Sequence, residues 1–178
     1  MKKVINLITV ITIFSTIYSC TKSTNSSNST STKPPQPKLQ CFVNGALVNY
    51  DAVWDSTIGW THIPAFQLDS ENVYNQPPIV RNILQSDVDL NNFICLGLTN
   101  PLTTTGSFSG YSNGLSQNAL FDARLNGIWS NGQGTDTINV TTLSNGKASG
   151  NFVGTIQMTN STTLHITNGT FSNLPIYY

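Results

Sequence analysis

The sequence predicts an all-β domain, an antiparallel β-sandwich or barrel-like sheet, following an apolar N-terminal segment and a flexible tether. Three observations carry this prediction. Apolar and polar residues alternate with period two over long stretches, most clearly from Lys147 to Met158, which is the pattern of a strand with one buried face. Asn-Gly dipeptides recur at 44–45, 113–114, 126–127, 131–132, 145–146 and 168–169, and Asn-Gly accepts the positive φ of tight hairpin turns. Outside the N-terminal segment, no window of about 11 residues or more has helical periodicity.

The first element is an address. Lys2 and Lys3 form a short positive region, and Val4 to Tyr18 is mostly apolar. That length suits a signal peptide and falls short of the roughly 20 apolar residues of a spanning helix. The run ends in Ile17-Tyr18-Ser19-Cys20. This resembles a bacterial lipobox, with residues 1–19 as the signal peptide and Cys20 as the lipidated residue. The resemblance implies palmitate-type acyl chains on Cys20, and two or more such chains hold a protein stably on a membrane.

Residues 20–38 follow as a Ser/Thr/Asn-rich tether that ends in Pro34-Pro35-Gln36-Pro37. Such a composition gives a coil followed by a polyproline II stretch. From Thr21 to Lys38 it reaches about 60 Å when extended and averages about 25 Å as a coil. From Leu39 onward only Arg81, Arg124 and Lys147 stand against eight acidic residues, a balance of −5. A mildly acidic domain is unsuited to nucleic acid.

Residues 39–178 form the all-β domain. The pattern places strands at 39–44, 46–54, 63–69, 79–85, 91–98, 104–109, 118–124, 135–143, 147–158 and 162–172. Ala148, Gly150, Phe152, Gly154, Ile156 and Met158 share the inner face of one strand, and Leu164 and Ile166 point inward from the next. Phe171 is out of phase with Leu164 and Ile166, and a bulge at Asn168-Gly169 accounts for the shift. Ile138, Val140 and Thr142 mark another strand. Phe93 to Leu98 is apolar throughout, as in a central strand covered on both faces. Trp54 and Trp60, as large aromatics, are expected in the core.

Cys41-Phe42-Val43-Asn44-Gly45, Ser149-Gly150-Asn151-Phe152 and Ile166-Thr167-Asn168-Gly169-Thr170-Phe171, followed by Leu174-Pro175-Ile176, carry a resemblance. They are similar to the opening, the G-x-F strand and the I-x-x-G-x-F…P-I ending of a family of small Bacteroidota lipoproteins of unknown function. The resemblance implies an all-β fold in the cell envelope and brings no catalytic residues.

Candidate chemistry is sparse. Only 9% of residues are charged and two are His, whereas soluble domains carry about 25% charge. Gly110-Tyr111-Ser112-Asn113-Gly114 matches G-x-S-x-G, but a nucleophile elbow needs a strand-to-helix turn and a His. A small hydrolase would bring Ser112 to His62 or His165. Asp87, Asp89 and Asn91 have the spacing of oxygen ligands for Ca²⁺, which is also the wet face of a strand. Cys41 and Cys95 could form a disulfide, or stay as small core hydrophobes. Trp129 and Tyr111 are the candidates for a glycan-stacking surface. Ser56 and Thr137 lie in Asp-Ser/Thr-x triplets that resemble O-glycosylation sites of envelope proteins in this bacterial group. The expectation is a non-enzymatic lipoprotein of the outer membrane, periplasmic face preferred, with a binding or structural role. It needs no cofactor and no metal. Its partners are the membrane through the lipid anchor and a glycan or envelope protein.

Overall fold

Among the described residues twelve strands form, several of them linked by turns at positive φ. The computed structural model describes residues 33–71, 79–86, 92–113 and 120–178. The strands are β1 Lys38–Val43, β2 Ala46–Asn49, β3 Val53–Asp55, β4 Gly59–Thr61, β5 Ala65–Glu71 and β6 Ile79–Gln85. They continue with β7 Phe93–Gly97, β8 Gly106–Asn113, β9 Asp122–Leu125, β10 Ile128–Ser144, β11 Lys147–Met158 and β12 Thr163–Pro175. No helix occurs among the described residues. Every pairing between strands is antiparallel.

Ten strands share one sheet, in the order β2-β1-β12-β11-β10-β9-β7-β6-β5, with β8 also paired to β10. The long strand β10 makes this possible. Its segment 133–140 pairs with β8, and Ile128 and Trp129 pair with β9. Between them lies an irregularity: Ser130 and Gly134 face Met158 and Ile156 of β11, so β10 carries two extra residues there. Gly132 has φ 76°, and the Asn131 side chain accepts the Gln133 amide at 3.1 Å. A strand that bends at a bulge can serve two sheets of a sandwich. The ladder returns on itself at the far side, where Phe66 of β5 forms a parallel bridge with Ile176, just after β12. The Tyr177 amide donates to the Phe66 carbonyl at 2.8 Å. The architecture is thus an antiparallel sandwich with a barrel-like closure.

The core draws on both sides of this arrangement. Leu39, Cys41 and Val43 from β1 and Ile138, Val140, Phe152, Ile156, Leu164, Ile166 and Phe171 meet Phe66, Leu84, Ile94 and Leu96 from the other side. Phe66 and Phe171 touch edge to face at 5.3 Å. All five residues of β7 are buried, as its unbroken apolar run predicts.

Two G-x-F motifs explain how β11 and β12 fit together. In their register Gly150 stands opposite Phe171, and Phe152 stands opposite Gly169. Each ring lies across the glycine of the other strand. A Cβ on Gly169 would sit 2.7 Å from the Phe152 ring, and one on Gly150 would sit 2.8 Å from that of Phe171. The glycines are therefore fixed by rings packed over the backbone together with neighbouring carbonyls, that of Asn139 beside Gly150 and that of Phe152 beside Gly169.

The expected bulge at Asn168-Gly169 is present. Gln40 and Phe42 face Thr170 and Thr167, which leaves an extra residue on β12, and Asn168 has φ 50°. Three other points differ from expectation. Residues 46–54 are not one strand: β2 ends at Asn49, and β3 pairs with β4 in a separate two-stranded sheet. Trp54 and Trp60 lie on that hairpin and not in the core, because it pairs with no strand of the large sheet. Thr142 is exposed, since an irregularity between Val140 and Thr142 moves it to the outer face. Residues 33–37, assigned by composition to the tether, run onto the domain. The Gln36 side chain donates to the Ala52 carbonyl at 2.8 Å, and the Ala52 amide donates to the Pro37 carbonyl at 3.0 Å.

Candidate functional site

Strand parity decides what the outer face of β8, β10, β11 and β12 presents. Gly134, Asp136, Ile138 and Val140 turn inward, so Thr135, Thr137 and Asn139 turn outward. On β11 the outward set includes Val153, Thr155 and Gln157, and on β12 it includes Thr163, His165 and Thr167. On β8, Tyr111 and Asn113 face out while Ser112 faces in. The result is a polar surface whose outward side chains are almost entirely neutral.

Two adjoining depressions lie on this face. One, of about 300 Å³, is lined by Thr135, Thr137, Val153, Thr155, His165 and Thr167, with Asp136, Gly154 and Ile166 in its floor. The other, of about 180 Å³, is lined by Tyr111, Asn113, Gln133, Thr135, Thr155, Gln157 and Thr163, with Ser112 and Gly134 beneath. Thr135 and Thr155 belong to both, and their hydroxyls hydrogen-bond at 2.9 Å to form the ridge between them. Tyr111 is 51% exposed and supplies an aromatic face beside three amide side chains. Hydroxyls and amides that both donate and accept, next to an aromatic ring, can hold a neutral, hydroxyl-rich molecule.

Beneath this surface sits Asp136, 5% exposed on the core side. One carboxylate oxygen accepts the Gly110 amide at 2.5 Å. The other has no hydrogen-bond partner among the described residues. Burial pushes the carboxyl up to about 7, against the opposing pull of the Gly110 hydrogen bond.

The residues singled out by sequence are scattered. Tyr111 lies in the depression described above. Trp129, 47% exposed, is not among its lining residues. Trp129 lies across the bulge on the other part of β10. There Phe93 meets its ring edge to face at 5.7 Å, and the Arg124 guanidinium lies 4.9 Å from the ring centre. Phe93, Arg124 and Trp129 are cross-strand neighbours on β7, β9 and β10, so Trp129 belongs to a second, separate surface.

Ser112 is 4% exposed and turned to the core, while His165 is exposed on the outer face. The two therefore lie on opposite faces of the sheet. His62 lies in the loop after β4 with φ 52°. The pairing of Ser112 with His165 that the hydrolase alternative requires is not formed, and Gly110 and Ser112 lie within a strand instead of a strand-to-helix turn.

Cys41 and Cys95 are both buried and are not joined in a disulfide. Their strands are not neighbours: β1 lies between β2 and β12, and β7 between β6 and β9. Burial pushes the Cys41 thiol up to about 12. Ser56 is exposed in the β3–β4 turn, and Thr137 is half-buried on the outer face of β10, with its hydroxyl 3.4 Å from that of Ser109. Asp87, Asp89, Asn91 and Cys20 lie outside the described residues. Among the described residues no three His, Cys, Asp or Glu side chains gather as a metal site.

Gln133, Thr135, Thr155 and Gln157 were not expected in a site. The outward parity of Thr135, Thr155 and Gln157 is readable from the alternation of their strands, while Gln133 lies outside the strand expected at 135–143, and the adjacency of β8, β10 and β11 is not readable. No protein-family model, curated protein or solved structure matches the chain.

Proposed function

We propose that the chain is a non-enzymatic lipoprotein of the cell envelope, anchored through Cys20 in the outer membrane with the periplasmic face preferred. Its β domain binds an uncharged glycan on the outer face of β8, β10, β11 and β12. The observation that supports this reading most directly is the pair of adjoining depressions, where Tyr111 stands beside Asn113, Gln133 and Gln157 and Thr135 and Thr155 form the ridge. A rigid sheet holds these groups in fixed relative positions, so little ordering is needed on binding. The low charge of the face favours a neutral ligand over a phosphate or carboxylate.

Glycan-array binding by the wild type, Tyr111→Ala and Trp129→Ala tests the site. Loss of the Tyr111 ring is expected to weaken binding about tenfold, the effect of roughly 1.4 kcal/mol. Trp129→Ala is expected to bind like the wild type. Equal binding by Tyr111→Ala, or no glycan bound by the wild type, overturns this reading of the face. The anchor is tested separately: Cys20→Ala is expected to release the protein from the membrane fraction, and a variant that stays membrane-bound assigns the anchor to the apolar segment instead.

A further inference from the structure

The β3–β4 hairpin presents apolar side chains that nothing in the large sheet covers. Ile58 at its turn is 73% exposed, and Val53, 56% exposed, and Trp54 are exposed on opposite faces of the ribbon. A two-stranded ribbon alone has little stability in water, yet this one is well ordered internally. Trp54 and Trp60 are directly cross-paired, with their rings edge to face at 5.1 Å. Asp55 closes the turn, its carboxylate accepting the amides of Thr57 at 2.7 Å and Ile58 at 3.1 Å. The one acid at the tip is thereby turned onto the backbone, while Ile58 points away.

The chain enters the described domain at this same place. The ammonium of Lys33 lies 4.5 Å from the Trp60 ring centre and 5.5 Å from that of Trp54. Only residues 21–32 separate Lys33 from Cys20, a path of at most about 47 Å. An exposed aliphatic tip, paired tryptophans and a lysine are the side chains that settle at the headgroup level of a bilayer.

We propose that the β3–β4 hairpin seats in the phospholipid headgroup layer of the membrane that holds Cys20, with Ile58 toward the acyl chains and the Trp54–Trp60 pair and Lys33 at the level of the lipid phosphates. The proposal rests on the anchor reading. Its consequence is orientation: the acylated Cys20 and the hairpin give two attachments, which restrict rotation of the domain about its tether.

The test uses the full lipidated protein in vesicles of phosphatidylethanolamine and phosphatidylglycerol with brominated acyl chains. Trp129→Phe leaves only the hairpin tryptophans, and Trp54→Phe/Trp60→Phe leaves only Trp129. Emission is expected to be lost to bromine in the first variant and kept in the second. Ile58→Asp added to Trp129→Phe is expected to restore emission, because a 73% exposed site tolerates the charge without loss of fold. Protein that floats with the vesicles while its hairpin emission is unquenched overturns the seating and leaves the anchor intact. Protein that fails to float overturns both. Hairpin emission that shifts with protein concentration in detergent, with no quenching in vesicles, assigns the face to a second copy and overturns the proposal.

Discussion

Replacing Asp136 with Asn removes a charge that the fold holds at a cost. The carboxyl is buried, one of its oxygens has no hydrogen-bond partner among the described residues, and its folded pKa rises from 3.8 to about 7. A carboxyl with a raised folded pKa binds a proton in the native state over a pH range in which the unfolded chain has released it. Native stability from this group is therefore full below about pH 4 and is lost as pH rises to about 7. A carboxyl raised from 3.8 to about 7 corresponds to about 4 kcal/mol, lost at roughly 1.4 kcal/mol per pH unit. That is a large part of the 5–15 kcal/mol typical of a domain.

Asn keeps an oxygen for the Gly110 amide and cannot ionise, but it buries an amide donor that costs about 1–3 kcal/mol without a partner. The variant is expected to be less stable than the wild type at pH 4 and more stable at pH 8, with the two curves crossing near pH 5–6. Urea unfolding followed by tryptophan emission from pH 4 to 9 measures this directly. Equal pH slopes for both proteins, or an Asn variant that is weaker at pH 8, would refute the assignment of a costly buried charge to Asp136.

Gly169→Ala is expected to destabilise the domain by about 2 kcal/mol, since the new Cβ would sit 2.6 Å from the Phe152 carbonyl oxygen and 2.7 Å from its ring. A urea midpoint within error of the wild type would sink the ring-over-glycine account. In a Cys20→Ala background, Cys41 and Cys95 are expected to resist a thiol reagent at pH 8 in the native state. Native burial and the raised Cys41 pKa cause that resistance, so both should react at once in urea without reductant. Two thiols that remain unreactive in urea until reductant is added would point to a disulfide.

Local chemistry makes much of the fold legible. Asn44-Gly45, Asn126-Gly127 and Asn145-Gly146 each close a two-residue hairpin with positive φ at both positions, as Asn-Gly does in type I′ turns. The same dipeptide has other uses here. At 168–169 it forms a bulge, and at 131–132 it sits in the bend where β10 passes from one part of the sheet to the other. Asn-Gly encodes a tolerance for positive φ. Whether the flanking residues then pair with each other or with other strands depends on partners far away in sequence. The Trp54–Trp60 hairpin fails by sequence for a related reason: ring size predicts burial only where a sheet face is available to cover the ring.

The candidate face shows the same division between local and distant information. Parity along β10, β11 and β12 determines that Thr135, Thr155 and Gln157 point away from the core, and alternation in the sequence carries that parity. Their meeting with Tyr111 requires β8 to pair with β10 in the register Tyr111↔Thr135, and β10 with β11 in the register Thr135↔Thr155. The second register follows from the tight turn at Asn145-Gly146 together with the irregularity at Thr141. The first has no such local turn, because β8 reaches β10 only after β9 has intervened. The sequence therefore exposes the polar threonines of the ridge, while the aromatic beside them is brought in by a non-local pairing. Trp129 fails to join them for the converse reason. It lies six residues from Thr135 on the same strand, but the bend at Asn131-Gly132 carries it to β9 and β7.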